Sequence, residues 1–249
     1  MSYRSRIIPV LLIQQGALVK TEKFSSPRYV GDPINAIKIF NEKEVDEIVV
    51  LDIDASKKNQ PINYNLVRDL ASECFMPLAY GGGVKTLSDI EQLIKSGVEK
   101  VIINSVSFEN PKFISEAVEQ FASSTIVASV DVTQNFFGKY VLYSASGKKN
   151  KYGTIDYIKH IQESGAGEIL LQAVHRDGTG MGYDLKLISE ISDFVSVPFI
   201  ACGGAASIID LHKAVKAGAS AVAAGSMFVF TGKHKAVMIS FPSSSELKW

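Results

Sequence analysis

Short runs of Val, Ile and Leu alternate along the chain with longer stretches in which apolar residues recur at helical spacing. The short runs have the length of buried strands, and they cover residues 6–12, 47–53, 77–81, 100–104, 125–131, 168–173, 198–202 and 221–225. The stretches of helical period cover residues 33–43, 62–73, 86–97, 111–121, 153–164, 184–193 and 207–217, with a short helix expected after residue 229. Eight near-continuous apolar strands, each followed by a helix, predict an α/β fold, a (β/α)8 TIM barrel.

The sequence also repeats itself at about half its length. Residues 76–105 align without a gap with residues 197–226, so that Pro77 matches Pro198 and each pair lies 121 positions apart (198 − 77 = 121). Gly97 and Gly218 match in the same way, at positions where helices commonly end. A repeat of this length predicts two half-barrels, and because no Pro/Ser-rich linker separates them we expect one domain over residues 1–249.

Composition narrows the class of protein further. Lys+Arg and Asp+Glu number 26 each, so there is no electrostatic reason to expect nucleic acid or an anionic membrane as a partner. No apolar run reaches the ~20 residues of a membrane span and no signal-peptide pattern is present, so we expect a cytoplasmic location. The two cysteines, Cys74 and Cys202, lack the spacing of a zinc site, and we expect neither a metal nor another cofactor.

Glycines, a serine or both follow four of the predicted strands. GGGV (81–84) follows the third strand and CGGA (202–205) the seventh, while NS (104–105) and GS (225–226) follow the fourth and eighth. Glycine lets backbone N–H groups approach an anion closely. Two copies in register favour two phosphates at opposite ends of one elongated ligand, although tight strand-to-helix turns alone also require such glycines.

Carboxylates and a histidine stand at other strand ends, where the reacting groups of this fold lie. Asp131 ends the fifth strand and is a candidate general base. Asp52 and Asp54 end the second strand, and His175 follows the sixth. A structural carboxylate bonded to loop amides explains Asp52 at least as well as catalysis does, and His175 is equally consistent with a hydrogen-bonded loop residue.

Several motifs in combination resemble the cyclase subunit of imidazole glycerol phosphate synthase. They are LDIDAS (51–56), GGGV (81–84), INS (103–105), SGKKN (146–150), AGEILL (166–171) and RDGTGMGYD (176–184), and the similarity runs from residue 6 to about residue 230. In that family a glutaminase subunit releases ammonia, which crosses the barrel. At the far face the ammonia reacts with a bisphosphorylated ribulosyl aminoimidazole-carboxamide compound, so the resemblance implies a glutaminase partner and a bisphosphorylated small-molecule ligand.

The resemblance also implies roles for individual residues. One phosphate would meet Gly83, Asn104 and Ser105. The other phosphate would meet Asp177, Gly178, Gly204, Gly225 and Ser226. Lys20 would lie on a mobile loop after the first strand, in the long polar segment 14–31 that we expect to act as a lid. Asp131 would be one of two catalytic aspartates, and the position of the second is occupied by Leu12 (131 − 12 = 119).

Four charged residues stand at the starts of strands, at the opposite end of the predicted barrel. They are Arg6, Glu47, Lys100 and Glu168. Charges at such positions are costly unless they are paired, so we expect a cross-barrel ring of ion pairs. The resemblance implies that this ring is an ammonia gate facing the glutaminase, and the alternative is a purely stabilising plug.

Leu12 changes the function that the resemblance implies, because leucine neither donates nor accepts a proton. Losing a positioned acid or base group typically costs ~10²–10⁴-fold in rate. The chain is most similar to the glycosyl-amidation-associated branch of the family, which implies that ammonia is relayed to an N-acetyl-sugar amidotransferase in surface-glycan synthesis. The alternatives are an authentic cyclase in histidine synthesis that uses Asp54 or His175 instead, the sugar isomerase of the preceding step, and a scaffold that only activates its glutaminase.

Overall fold

The computed structural model describes residues 5–145, 147, 152–243 and 245–247, so most of the SGKKN motif lies outside the described residues. The strands of the described residues are β1 (Arg6–Gln14), β2 (Ala17–Glu22), β3 (Ser25–Gly31), β4 (Ile48–Asp52), β5 (Leu78–Gly81), β6 (Lys100–Ile103), β7 (Ile126–Gln134), β8 (Tyr140–Leu142), β9 (Glu168–Ala173), β10 (Phe199–Cys202), β11 (Ala221–Ala224), β12 (Phe230–Thr231) and β13 (Ala236–Val237). The helices are α1 (Pro33–Glu42), α2 (Tyr64–Ser72), α3 (Leu87–Lys95), α4 (Ser105–Glu109), α5 (Phe113–Phe121), α6 (Thr154–Glu163), α7 (Leu185–Ser192), α8 (Ile208–Lys216) and α9 (Ser226–Val229).

Eight parallel strands close into a barrel in the order β1, β4, β5, β6, β7, β9, β10, β11. Closure is made by β11 and β1, whose register pairs Arg6 with Ala221. The helices lie between successive strands, so the predicted (β/α)8 fold is confirmed. None of the helices in the described part of the chain is long and apolar enough to cross a membrane.

The two halves repeat their local structure as well as their sequence. Thr86 caps α3 and Ser207 caps α8, in each case as a capping box completed by the aspartate three residues later. Gly97 and Gly218 follow those helices at φ +97° and +117°, a conformation that glycine adopts readily. The repeat therefore marks helix boundaries, and the predicted C-caps are confirmed.

Two long strands carry antiparallel extensions beyond the barrel. β1 continues into the hairpin of β2 and β3, and β7 continues into β8. The prediction of a loop over residues 14–31 was therefore wrong, because this segment pairs as strands, while its action as a lid stays a prediction. The short helix expected after residue 229 was also wrong for the described residues, where the antiparallel pair β12–β13 follows α9 directly.

The interior of the barrel is apolar. Alternation along β1 sends Ile8 and Val10 inward, whereas Ile7 and Leu11 pack outward against the helices. The inward group comprises Ile8, Val10, Val49, Ala79, Ile102, Val127, Leu170, Ile200, Cys202, Ala221 and Ala223, with Leu12 and Leu51 packed against it. An apolar column thus joins the two ends of the barrel.

Candidate functional site

A cavity of about 150 Å³ opens at the carboxyl ends of the barrel strands. Each of the eight barrel strands contributes at least one residue to its wall. The wall includes all nine residues predicted for catalysis and phosphate binding, namely Gly83, Asn104, Ser105, Asp131, Asp177, Gly178, Gly204, Gly225 and Ser226. The structure therefore brings these residues together, and their individual roles stay predictions.

The first predicted phosphate site combines the turn after β5 with the start of α4. The N–H of Gly83 donates to Ser56 Oγ at 3.3 Å. Gly83 has φ +78°, and a Cβ there would lie 2.9 Å from the Cβ of Ala55. Ser105 begins α4, and the preceding Asn104 turns its side chain towards Asp131 instead of capping the helix. The packing of the turn already requires a glycine at position 83, whether or not a phosphate binds.

The second predicted site lies on the other side of the cavity, around α9. Gly204 has φ +104°, and a Cβ there would lie 2.3 Å from the carbonyl oxygen of Gly182. Lys20 reaches this region from β2, and its ammonium group donates to the carbonyl of Val10 above Gly225. Burial lowers the pKa of Lys20 to about 8, with partial compensation from Asp177. A buried cation beside backbone amides is an arrangement that suits an anionic ligand.

Lys20 was expected on a mobile loop, and this expectation was wrong. The residue belongs to β2, pairs with Arg28 of β3 and is 4% exposed. Its carboxylate neighbour, Asp177, accepts hydrogen bonds from Thr21 Oγ1 and Gln172 Nε2, both at 3.2 Å. These contacts attach the β2–β3 hairpin to the end of β9.

Asp131 lies on the cavity floor and is 6% exposed. Its Oδ2 accepts from Asn104 Nδ2 at 2.9 Å, and its Oδ1 accepts from Ser129 Oγ at 3.2 Å. Burial raises the pKa of Asp131 to about 6, although both hydrogen bonds act in the opposite direction. A carboxyl group with this pKa can accept and release a proton near neutral pH.

Leu12 lies diametrically across the barrel from Asp131, because β1 and β7 are four strands apart in the closed order. Leu12 and Leu51 both line the cavity and pack against the apolar interior. The cavity wall therefore presents the Asp131 carboxylate on the β7 side and the hydrocarbon of Leu12 and Leu51 on the opposite side, where Asp52 of β4 also lies.

The two residues considered as replacements for the second carboxylate point elsewhere. Asp54 binds Lys58 Nζ at 2.5 Å and Gln14 Nε2 at 3.0 Å, and His175 Nε2 lies 2.8 Å from Asp184 Oδ2. Within the described residues, neither Asp54 nor His175 belongs to the cavity wall.

Asp52 does line the cavity, with burial raising its pKa. Its Oδ1 accepts the N–H groups of Asp54 and Ala55, both at 3.0 Å. The interpretation of Asp52 as a carboxylate bonded to loop amides is confirmed.

The predicted ring of ion pairs is present at the amino-terminal end of the barrel. Lys100 Nζ lies 2.9 Å from Glu47 and 3.0 Å from Glu168, and Arg6 contacts both carboxylates as well. Glu47 is 1% exposed, and its Oε1 has no hydrogen-bond partner among the described residues. The ring closes the end of the apolar column, while its role as a gate stays a prediction.

Ser129 is one residue of the site that sequence reasoning missed. It is 7% exposed, lines the cavity and donates to Asp131. The signal was present, because a residue two positions before Asp131 on the same strand must face the same side. Among the described residues, no group of three or more His, Cys, Asp or Glu side chains is arranged to hold a metal ion.

Comparison with known proteins identifies a family and several relatives to which this chain is similar. Residues 6–235 match the family described as histidine biosynthesis protein. A Pseudomonas aeruginosa protein with the provisional name imidazole glycerol phosphate synthase subunit hisF2 is 48% identical over 246 residues, which cover 98% of each chain. A Leptospira interrogans protein, provisionally named as the HisF subunit, is 44% identical over 98% of this chain and 97% of its own. The imidazole glycerol phosphate synthase subunit HisF of Alkaliphilus metalliredigens is 40% identical over 90% of this chain and 89% of its own.

Proposed function

The chain belongs to the histidine biosynthesis protein family as a HisF-like subunit, and from this premise we propose that it delivers ammonia rather than completing the cyclase reaction. In this proposal a glutaminase docks at the amino-terminal end of the barrel. Ammonia then crosses the interior to a second enzyme at the carboxyl-terminal end, an N-acetyl-sugar amidotransferase of surface-glycan synthesis.

The observation that carries the proposal is the one-sided reaction centre. Ring closure with elimination requires proton transfer at two places, which two opposed carboxylates can supply. Asp131 provides one such group, and Leu12 provides none. The rest of the cavity keeps its glycine turns and the buried Lys20, so the loss is confined to the chemistry that a cyclase needs.

The interior of the barrel supports passage of neutral ammonia. Moving an ion from water into an apolar interior costs several kcal/mol even after relaxation, whereas a small neutral molecule avoids that cost. The column from the charged ring to Ser129 is lined by aliphatic side chains, among them Ala79, Ala221 and Ala223. Ammonium would therefore be held back at the ring while ammonia passes.

Exposed aromatic residues at both ends of the barrel support two docking partners. Phe75 is 85% exposed in the segment before β5, on the same side as the charged ring. Phe136 and Phe137 are 98% and 89% exposed at the tip of the β7–β8 hairpin, on the side of the cavity. Asn135 Oδ1 accepts the N–H groups of Phe137 and Lys139, which holds the tip in a defined shape. Rigid aromatic side chains of this kind are typical binding anchors.

The test compares cyclase turnover of the wild type with that of Leu12→Asp, using the bisphosphorylated ribulosyl aminoimidazole-carboxamide substrate and saturating ammonium salt. We expect little turnover by the wild type and a rise on the order of 10²-fold or more in Leu12→Asp, because the second carboxylate is restored. Leu12→Asn is the matched control, since the asparagine side chain has the shape of the aspartate in Leu12→Asp but is neither an acid nor a base. Wild-type turnover on the order of 1 s⁻¹ or faster, which is ordinary for an enzyme, contradicts the proposal.

The second candidate is an authentic cyclase, and the position of Asp52 in the cavity wall favours it. If Asp52 acts as the second acid or base, Asp52→Asn abolishes wild-type turnover while Leu12→Asp adds nothing. The isomerase interpretation has no support from the relatives described above, which are named as HisF subunits. A pure scaffold differs from a conduit in one measurable respect. If the chain is only a scaffold, external ammonia competes fully at the acceptor with ammonia released from glutamine, and if it is a conduit, external ammonia competes poorly.

A further inference from the structure

Ser129 places a hydroxyl group in an otherwise aliphatic part of the barrel interior. Its neighbours two positions away on β7 are Val127, which belongs to the interior group, and Asp131 on the cavity floor. On the adjacent strand it pairs with Leu170, and that side chain is also interior. A molecule moving up the column therefore meets the Ser129 hydroxyl immediately before it reaches Asp131.

The hydrogen bonding of Ser129 leaves its oxygen available as an acceptor. A serine hydroxyl has one proton to donate and two lone pairs to accept with. The proton is committed to Asp131 Oδ1 at 3.2 Å, and within the described residues this is the hydrogen bond that Ser129 Oγ makes. Asp131 Oδ2 is occupied by Asn104, so the Oδ1 side faces Ser129 and the column. Two acceptor oxygens, one neutral and one anionic, thus lie side by side.

We propose that Ser129 Oγ and Asp131 Oδ1 form a binding site for ammonia where the barrel interior opens into the cavity. The inference rests on the proposed transfer of ammonia through the barrel. Ammonia has three N–H donors and one lone pair, so it donates to both oxygens and keeps its lone pair for the acceptor. The site holds the nitrogen in the orientation that nucleophilic attack requires. Ser129 and Asp131 both contact the nitrogen in this site, Ser129 through its neutral hydroxyl oxygen and Asp131 through its carboxylate.

The first experiment uses the purified chain with carbon-13 in its aspartate carboxyl groups. The Asp131 signal is followed by NMR during titration with ammonium chloride at a pH high enough to produce free ammonia. Sodium chloride at equal ionic strength and trimethylammonium chloride are the comparison salts, because neither of them yields a neutral molecule with N–H groups. We expect a saturable shift with ammonia alone, at least ten-fold weaker in Ser129→Ala.

Ser107→Ala is the matched control, because Ser107 is also buried but bonds to the Asn104 carbonyl and Tyr157, away from the interior. This variant should titrate as the wild type does. An identical titration of Ser129→Ala and wild type, or an equal response to sodium chloride, overturns the inference. The spectrum of Ser129→Ala also reports whether the variant is folded.

A second experiment separates this inference from the proposed function. The complex with its glutaminase receives glutamine labelled with nitrogen-15 in the amide, in the presence of unlabelled external ammonium. The labelled fraction reaching the acceptor should fall several-fold in Ser129→Ala, while glutamine hydrolysis stays unchanged. If the isolated chain binds ammonia but no label is transferred by the wild type, the proposed function fails and the site stands. If label is transferred equally by wild type and Ser129→Ala, the site fails and the proposed function stands.

Discussion

Replacing Asp131 by asparagine is expected to stabilise the protein at neutral pH. Burial raises the pKa of Asp131 from its ordinary value of 3.8 to about 6, so the folded protein binds this proton more tightly than the unfolded chain. The difference corresponds to about 3 kcal/mol in the free energy of unfolding, at about 1.4 kcal/mol per pKa unit. Asparagine keeps an acceptor for Asn104 and removes the buried charge. For a chain of this size, a gain of about 3 kcal/mol in the free energy of unfolding corresponds to an increase in Tm of roughly 6–12 °C.

The pH dependence gives the prediction its sign. Below pH 3.8 both states are protonated, so aspartate and asparagine should be nearly equivalent. The stability of the wild type relative to the variant is lost as the pH rises through about 6, and the full difference is present above that value. Thermal unfolding followed by circular dichroism at several pH values between 4 and 8 measures this profile directly.

Asp184 provides a control of opposite sign. It is 6% exposed, and burial raises its pKa, but hydrogen bonds from the Leu187 N–H, His175 and Tyr140 outweigh burial and lower the pKa overall. Asp184→Asn should therefore lose stability at pH 7.5, with the loss shrinking as the pH falls towards 4. If Asp131→Asn is neutral or destabilising at pH 7.5, the carboxylate is better solvated than its burial indicates, and the reasoning is refuted.

Two further predictions concern the ends of the barrel. Lys100→Met leaves two buried carboxylates with one cation and should lower the free energy of unfolding, measured in urea, by about 3 kcal/mol, as for other broken buried pairs. Adding Glu168→Gln rebalances the charge and should recover part of that loss. A loss below about 1 kcal/mol in Lys100→Met would mean that the ring is open to water. Phe136→Ser with Phe137→Ser should weaken binding of the ammonia-consuming enzyme by ten-fold or more without affecting the glutaminase. Phe75→Ser should do the reverse, and equal effects on both partners in calorimetric titrations would contradict the assignment of the two faces.

The fold could be predicted from sequence because its signals are local and duplicated. Each barrel strand is an apolar run, and several helix boundaries recur 121 positions later, as Thr86–Asp89 and Ser207–Asp210 show. A capping box that appears twice in register is far less ambiguous than one that appears once. The membership of the cavity wall was predictable for a similar reason, since the carboxyl ends of barrel strands converge.

Side-chain direction outside the strands could not be predicted in this way. Asp131 lies within β7, so the strand fixes the direction of its side chain. Asp54 and His175 lie beyond the ends of β4 and β9, and they turn to Lys58 and Asp184, which neighbouring turns and helices supply. Lys20 was misplaced for a related reason. The hairpin of β2 and β3 is polar on its outer face, so its composition is typical of a loop, and only its pairing with β1 reveals a strand.

The divergence between the halves of the barrel is itself evidence about function. Burial raises the pKa of Asp131, so this carboxylate is expected to lower stability at neutral pH, whereas the equivalent position across the barrel is Leu12, which packs against the aliphatic interior. A protein that no longer needed chemistry at this end would gain stability by losing both carboxylates, and one that needed two proton transfers would retain both. Keeping Asp131 alone, beside Ser129 at the top of an apolar column, fits a task that requires one acceptor group at one point. Holding ammonia for delivery is such a task.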